Sequence, residues 1–142
     1  MSAEPGDVRE ACEQAVLASA RANDERDWTA LAGLYAADGR LTRPSGQTIE
    51  GRDAIEASYR SGPPDRRTRH VCTNVHVVPD GDDAADATTT VLLFAWVDDP
   101  DAEGLPATTP ILGEFEDRLV RIDGRWVIAR RVARLLARVA SD

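Results

Sequence analysis

Residues 52–78 read RDAIEASYRSGPPDRRTRHVCTNVHVV, and their character changes at Pro63-Pro64. Before the prolines, RDAIEASYRSG reads as a helix of about three turns stopped by Gly62, with Tyr59 on its apolar face. After them, Val71, Thr73, Val75, Val77 and Val78 crowd a run that favours extended backbone. The chain passes from helices to sheet at this point, and the rest of the sequence falls on either side of it.

Toward the N-terminus, Val8, Ala11, Cys12, Ala15 and Val16, continued by Ser19 and Ala20, recur at the spacing of an amphipathic helix over about residues 7–23. Asp27 is a good N-cap for a short second helix carrying Trp28, Leu31, Leu34 and Tyr35, closed by an Asp38-Gly39 turn. GRLTRPSGQTIEG then offers two short strands around a Pro-Ser-Gly turn. Toward the C-terminus, four β-rich runs at roughly 68–79, 87–98, 111–122 and 125–136 are expected to pair as an antiparallel meander. Asp123-Gly124 is a strong hairpin signal between the last two. The fold class is therefore α+β: three N-terminal helices on a strongly curved, mainly antiparallel sheet, forming a cone-shaped barrel around a cavity. With 142 residues and no shift of composition, residues 1–142 are expected to make one domain.

Composition narrows the function. The net charge is −8, and the 17 basic residues are all arginines interleaved with 25 carboxylates, so no phosphate-binding stripe forms and nucleic acid is not an expected partner. Without lysine, Schiff-base chemistry through an ε-amine is excluded. No apolar run has membrane-spanning length, and MSAEPGDVRE lacks the look of a secretory signal, so a cytoplasmic protein without a membrane role is expected. Cys12 and Cys72 lack metal-ligand spacing and read as small buried hydrophobes. The acidic Asp80–Asp86 loop lacks the ordered ligand spacing of an EF-hand and reads as a solvated hairpin. No metal or cofactor is expected. VLLFAWV is apolar on both parities, and a strand covered on two faces points to a homodimer through the outer sheet face.

The chain has two histidines, His70 and His76, both in the run after the prolines. If that run is regularly extended, His70, Cys72, Asn74 and His76 share one face, and Val71, Thr73, Val75 and Val77 the other. The His70 face combines small, polar and proton-exchanging groups, as a pocket wall requires. His70 is a candidate general base or acid, against the alternative of a polar residue at the sheet rim. His76 lies about 20 Å further along a regular strand, too far to share a metal with His70. Asp24 is either helix punctuation or the partner of a histidine, and Asn74 either a donor to substrate or an amide satisfied by backbone. Arg43 reads as an oxygen-binding group or an exposed hairpin residue. Asp117 reads as an inward carboxylate beside Phe115 or as one more solvated charge.

Four segments in order, DERDWTALAGLYAADGRL, TIEGRDAIEASYR, RTRHVCTNVHVV and EFEDRLVRIDGRWVIARR, give the chain a resemblance over residues 8–136 to a known group. It is the SnoaL-like and scytalone dehydratase-like branch of the nuclear transport factor 2-like superfamily. The resemblance implies that an aspartate four residues before the tryptophan of the second helix, here Asp24 before Trp28, faces a histidine at the start of the first long strand, here His70. It also implies an inward face of Gly113, Phe115, Asp117 and Leu119. The dehydratases' carbonyl-polarising tyrosines have no counterpart, since Asn23 or Ser19 and Arg43 stand at those positions, and no histidine follows His76. The expected function is a small cofactor-independent lyase, isomerase or cyclase. Asp24 and His70 would transfer a proton on a hydrophobic carbonyl-bearing metabolite, as in polyketide or other secondary metabolism. Trp28, Arg43, Asn74, Phe115 and Asp117 are the expected substrate contacts. Two alternatives stand beside it: a non-catalytic small-molecule-binding or assembly module, and epoxide-type water addition using Asp117 and Arg43.

Overall fold

The computed structural model describes residues 5–139. In chain order the elements are α1 (Pro5–Asp24), α2 (Trp28–Gly33), β1 (Tyr35–Thr42), β2 (Thr48–Glu50), α3 (Arg52–Arg60), β3 (Arg66–Pro79), β4 (Ala84–Val97), β5 (Ile111–Ile122) and β6 (Arg125–Arg138). The six strands form one sheet in the order β2-β1-β6-β5-β4-β3, antiparallel throughout except where β1 runs parallel to β6. The expected α+β architecture and its antiparallel meander are present. The sheet is not closed, however: β2 and β3 are its two edges, so the cone is an open curved wall and not a complete barrel.

Local chemistry explains most of the boundaries. The Asp27 side chain accepts from the Ala30 amide at 3.1 Å and caps α2 as its position suggested. The reading of Tyr35 as helical is corrected, because Leu34 ends the helix and Tyr35 opens β1. Long-range partners take its neighbourhood over: the Ile128 amide donates to the Leu34 carbonyl at 2.7 Å, and Arg52 donates to the Tyr35 carbonyl through Nε and Nη2. Asp38-Gly39 thus lies inside a strand, where the register between β1 and β6 shifts. Glycine is required there, since a Cβ on Gly39 would sit 2.9 Å from the Ala36 carbonyl oxygen and 3.1 Å from that of Ile128.

The core lies between α1 and the sheet. Val8, Cys12 and Val16 of α1 form one buried cluster with Leu31, Tyr35, Leu41, Ile55, Val77, Ala85, Leu119 and Ile128. Each large aliphatic side chain buried there contributes about 1.5–3 kcal/mol of apolar transfer. Cys12 is fully buried, which pushes its thiol up to about 11, whereas Cys72 is only half-buried. The acidic loop before β4 is tied down by arginines of β5, with Arg118 donating to Asp80 and Asp86 and Arg121 to Asp83. No helix among the described residues is long and apolar enough to cross a membrane.

Candidate active site

Asp24 is the last residue of α1, and α1 packs along β3. Beyond it the backbone takes a left-handed turn at Arg26 (φ 57°), whose Nη1 donates to the Arg66 carbonyl at 2.9 Å and pins the start of β3 beside the helix end. The carboxylate of Asp24 therefore meets the first inward residues of β3. Its Oδ1 accepts from Thr68 Oγ1 at 2.9 Å and contacts His70 Nδ1 at 2.6 Å, while Oδ2 accepts from the His70 backbone amide at 2.9 Å. Both side chains are 10% exposed. Burial pushes the Asp24 carboxyl up, but the hydrogen bonds from the His70 side chain and amide, the imidazole charge and the Thr68 hydroxyl outweigh it. The group is held below its ordinary value. A carboxylate at Nδ1 fixes that nitrogen as the proton carrier and leaves Nε2 with the free lone pair on the opposite edge of the ring.

The regular parity of the sequence reading holds for Thr68, His70 and Cys72 and then fails. Asn74 has φ 50°, and the pairing of β3 with β4 slips by one residue between Thr73 and His76. This β-bulge exchanges the two faces, so Asn74 and His76 point to solvent while Val75 and Val77 turn inward. Asn74 is thus no substrate contact, a correction whose physical cause is one extra residue in the strand.

A cavity of about 270 Å³ opens between the sheet and helices α2 and α3, and His70 forms part of its wall. Of the expected contacts, Trp28, Arg43 and Phe115 line it. Trp28 stacks on Tyr59 at 5.3 Å between ring centroids, and the His70 and Phe115 rings lie 6.2 Å apart. Tyr59, read from sequence as a packing residue, is part of this lining. Asp24 itself faces a second hollow behind His70, so the imidazole stands as a partition between the two.

Asp117 is inward, as the resemblance implied for the face it shares with Gly113, Phe115 and Leu119, but it does not line the cavity. Both its oxygens are occupied by Arg131, Nε to Oδ1 at 2.7 Å and Nη2 to Oδ2 at 2.9 Å. Its assignment as a substrate contact is corrected accordingly, and the Asp117–Arg43 combination for adding water is not assembled. Arg131, which sequence reading passed over, lines the cavity with its guanidinium 4.1 Å over the Phe115 ring. Burial alone would favour loss of its proton, yet the Asp117 carboxylate more than reverses this and keeps it protonated. Nearby, burial raises the Tyr35 phenol, whose hydroxyl has no hydrogen-bond partner although the Arg131 charge partly offsets the shift. Among the described residues, no group of three or more His, Cys, Asp or Glu is placed to hold a metal ion.

The fold has recognisable relatives. The sequence matches the SnoaL-like domain family over residues 7–132. No curated protein matches it. Among solved structures, a scytalone dehydratase candidate from Novosphingobium aromaticivorans superposes with a TM-score of 0.79 at 22% identity, over 94% of this chain and 87% of that one. A hexachlorocyclohexane dehydrochlorinase from Novosphingobium barchaimii does so at 0.77 and 17%, over 94% and 89%. A ketosteroid isomerase-like protein from Erwinia carotovora atroseptica gives 0.72 and 21%, over 90% and 95%. At these identities the likeness is one of fold.

Proposed function

The chain belongs to the SnoaL-like domain family, and on that premise we propose that it is a small cofactor-independent enzyme in which His70, oriented by Asp24, moves a proton on an apolar carbonyl-bearing metabolite. The observation that carries the reading is the 2.6 Å contact between His70 Nδ1 and Asp24, which leaves Nε2 free on a residue that lines the cavity. In this reading Nε2 takes a proton from a carbon next to a carbonyl. The bond's electron pair passes into an enolate or expels a β-leaving group, and the new imidazolium is held by the Asp24 carboxylate. The same histidine then returns the proton to a different atom in an isomerisation or to the departing group in an elimination. Arg131, protonated and facing the cavity, supports the reading as a cation beside the developing oxyanion. The dehydratase, dehydrochlorinase and isomerase-like proteins named among the structural relatives all fit proton removal from carbon as the common step. A polyketide or other secondary metabolite is the substrate class we favour.

Candidate carbonyl compounds incubated with the protein in deuterated water report the step directly, as enzyme-dependent loss of a carbon-bound proton signal. His70→Ala should slow that exchange by about two to four powers of ten, the usual worth of a positioned proton-transfer group, with folding nearly intact. Unchanged exchange in a folded variant would refute the role. Ligands that bind the wild-type cavity yet exchange no proton would identify a binding module instead.

A further inference from the structure

The cavity that His70 lines is also lined by an arginine that no carboxylate answers. Arg43 follows β1, and its guanidinium lies 5.1 Å over the Tyr59 ring and donates through Nη2 to Ser58 Oγ. Its Nε is buried without a partner, and Nη1 makes no hydrogen bond among the described residues. The other interior cation is neutralised, Arg131 by Asp117, and at the rim Arg134 is paired with Glu116 at 2.7 Å. Arg26 and Arg66 also line the cavity, and among the described residues neither they nor Arg43 has a salt bridge. The lining sets Arg26, Arg43, Arg66, Arg131 and Arg134 against Glu114, so a chain of net charge −8 keeps a local excess of positive charge around this cavity. A partly desolvated guanidinium that no carboxylate balances is costly to maintain and favours an anionic acceptor.

We propose that the cavity takes an apolar carboxylic acid whose carboxylate docks at Arg43, with its hydrocarbon skeleton lying along Trp28, Tyr59 and Phe115 toward His70. This names the substrate class of the site described above. It rests on that reading for where the reacting carbon lies, while the anion subsite itself is tested by binding alone.

Calorimetric titration with 2-naphthoate and its neutral counterpart 2-naphthamide, both suited to a cavity of about 270 Å³, separates charge from shape. The wild-type protein should bind the acid about tenfold to a hundredfold more tightly than the amide, the usual advantage of a charge-assisted hydrogen bond. Arg43→Gln should abolish that preference, and His70→Ala should preserve it. Equal affinities in the wild type, binding of neither probe, or a preference kept by folded Arg43→Gln but lost in Arg66→Gln would overturn the assignment. If Arg43→Gln does not fold, Arg66→Gln decides: the preference should survive there, and its loss would overturn the assignment. Failure of the deuterium-exchange test with this preference intact would remove the proton-transfer reading and leave the acid-binding one standing.

Discussion

Replacing Asp24 by Asn keeps the size of the side chain and removes the charge, and the surrounding hydrogen bonds determine the consequence. The carboxylate accepts three of them, from Thr68 Oγ1, His70 Nδ1 and the His70 amide. An amide cannot accept all three. If its NH₂ takes the place of Oδ2, it confronts the His70 backbone N–H, and a buried donor goes unsatisfied. If it takes the place of Oδ1, it donates toward His70 Nδ1, which must then become an acceptor, and the ring proton moves to Nε2. Either outcome costs about 1–3 kcal/mol of stability, a fall of about 3–10 °C in Tm for a domain of this size. The second outcome also removes the free lone pair from Nε2, slowing proton transfer by about two to four powers of ten. The pH dependence has a definite sign. The folded carboxyl lies below its ordinary value of 3.8, so its stabilisation is present above that value and disappears as the pH falls through the lower folded one. The Tm gap between wild type and variant should therefore narrow below about pH 4. Scanning calorimetry at neutral and acid pH measures the gap, and long-range ¹H–¹⁵N spectra of the neutral imidazole identify which nitrogen carries the proton. A wild-type ring protonated at Nε2, or an Asp24→Asn protein with unchanged Tm and tautomer, would refute the reasoning.

Asp117 and Arg131 should behave as a unit. With side chains 0% and 6% exposed, Asp117→Ala should destabilise by about 3–5 kcal/mol in denaturant unfolding, because it strands a buried cation, whereas the double replacement Asp117→Leu with Arg131→Met should recover most of that loss. A homodimer through the outer sheet face is the second expectation. Val71 and Leu92, which pair in register between β3 and β4, are 48% and 37% exposed, and light scattering should give twice the 15.4 kDa chain mass, reduced to one by Val71→Arg. A wild-type mass of one chain at micromolar concentration would count against it.

The features legible in the sequence are those set by short-range rules. Helical spacing placed α1 and α3, the Asp27 side chain capped α2, Pro63-Pro64 separated helices from sheet, and Asp123-Gly124 turned the last hairpin. Each depends on a few neighbouring residues, whose φ/ψ preferences and hydrogen bonds are local. The Asp24–His70 meeting was legible only through likeness to a known family, since no local rule brings residues 46 apart in sequence together. Tertiary structure decided the rest, largely through three irregularities of the sheet. In β1, partners from β6 and α3 drew Tyr35 out of its helical pattern. In β3, the bulge at Asn74 reversed which side chains face inward, turning Val75 and Val77 toward the core. In β6, counting back from the Asp123-Gly124 turn sets Asp117 opposite Arg130, but one extra residue between Ile128 and Arg130 sets it opposite Arg131, and so chooses which arginine enters the site. A strand's alternation has a period of two, and a single inserted residue inverts it. Where that residue falls depends on how the sheet must bend over its core, which is settled by strands far apart in the chain.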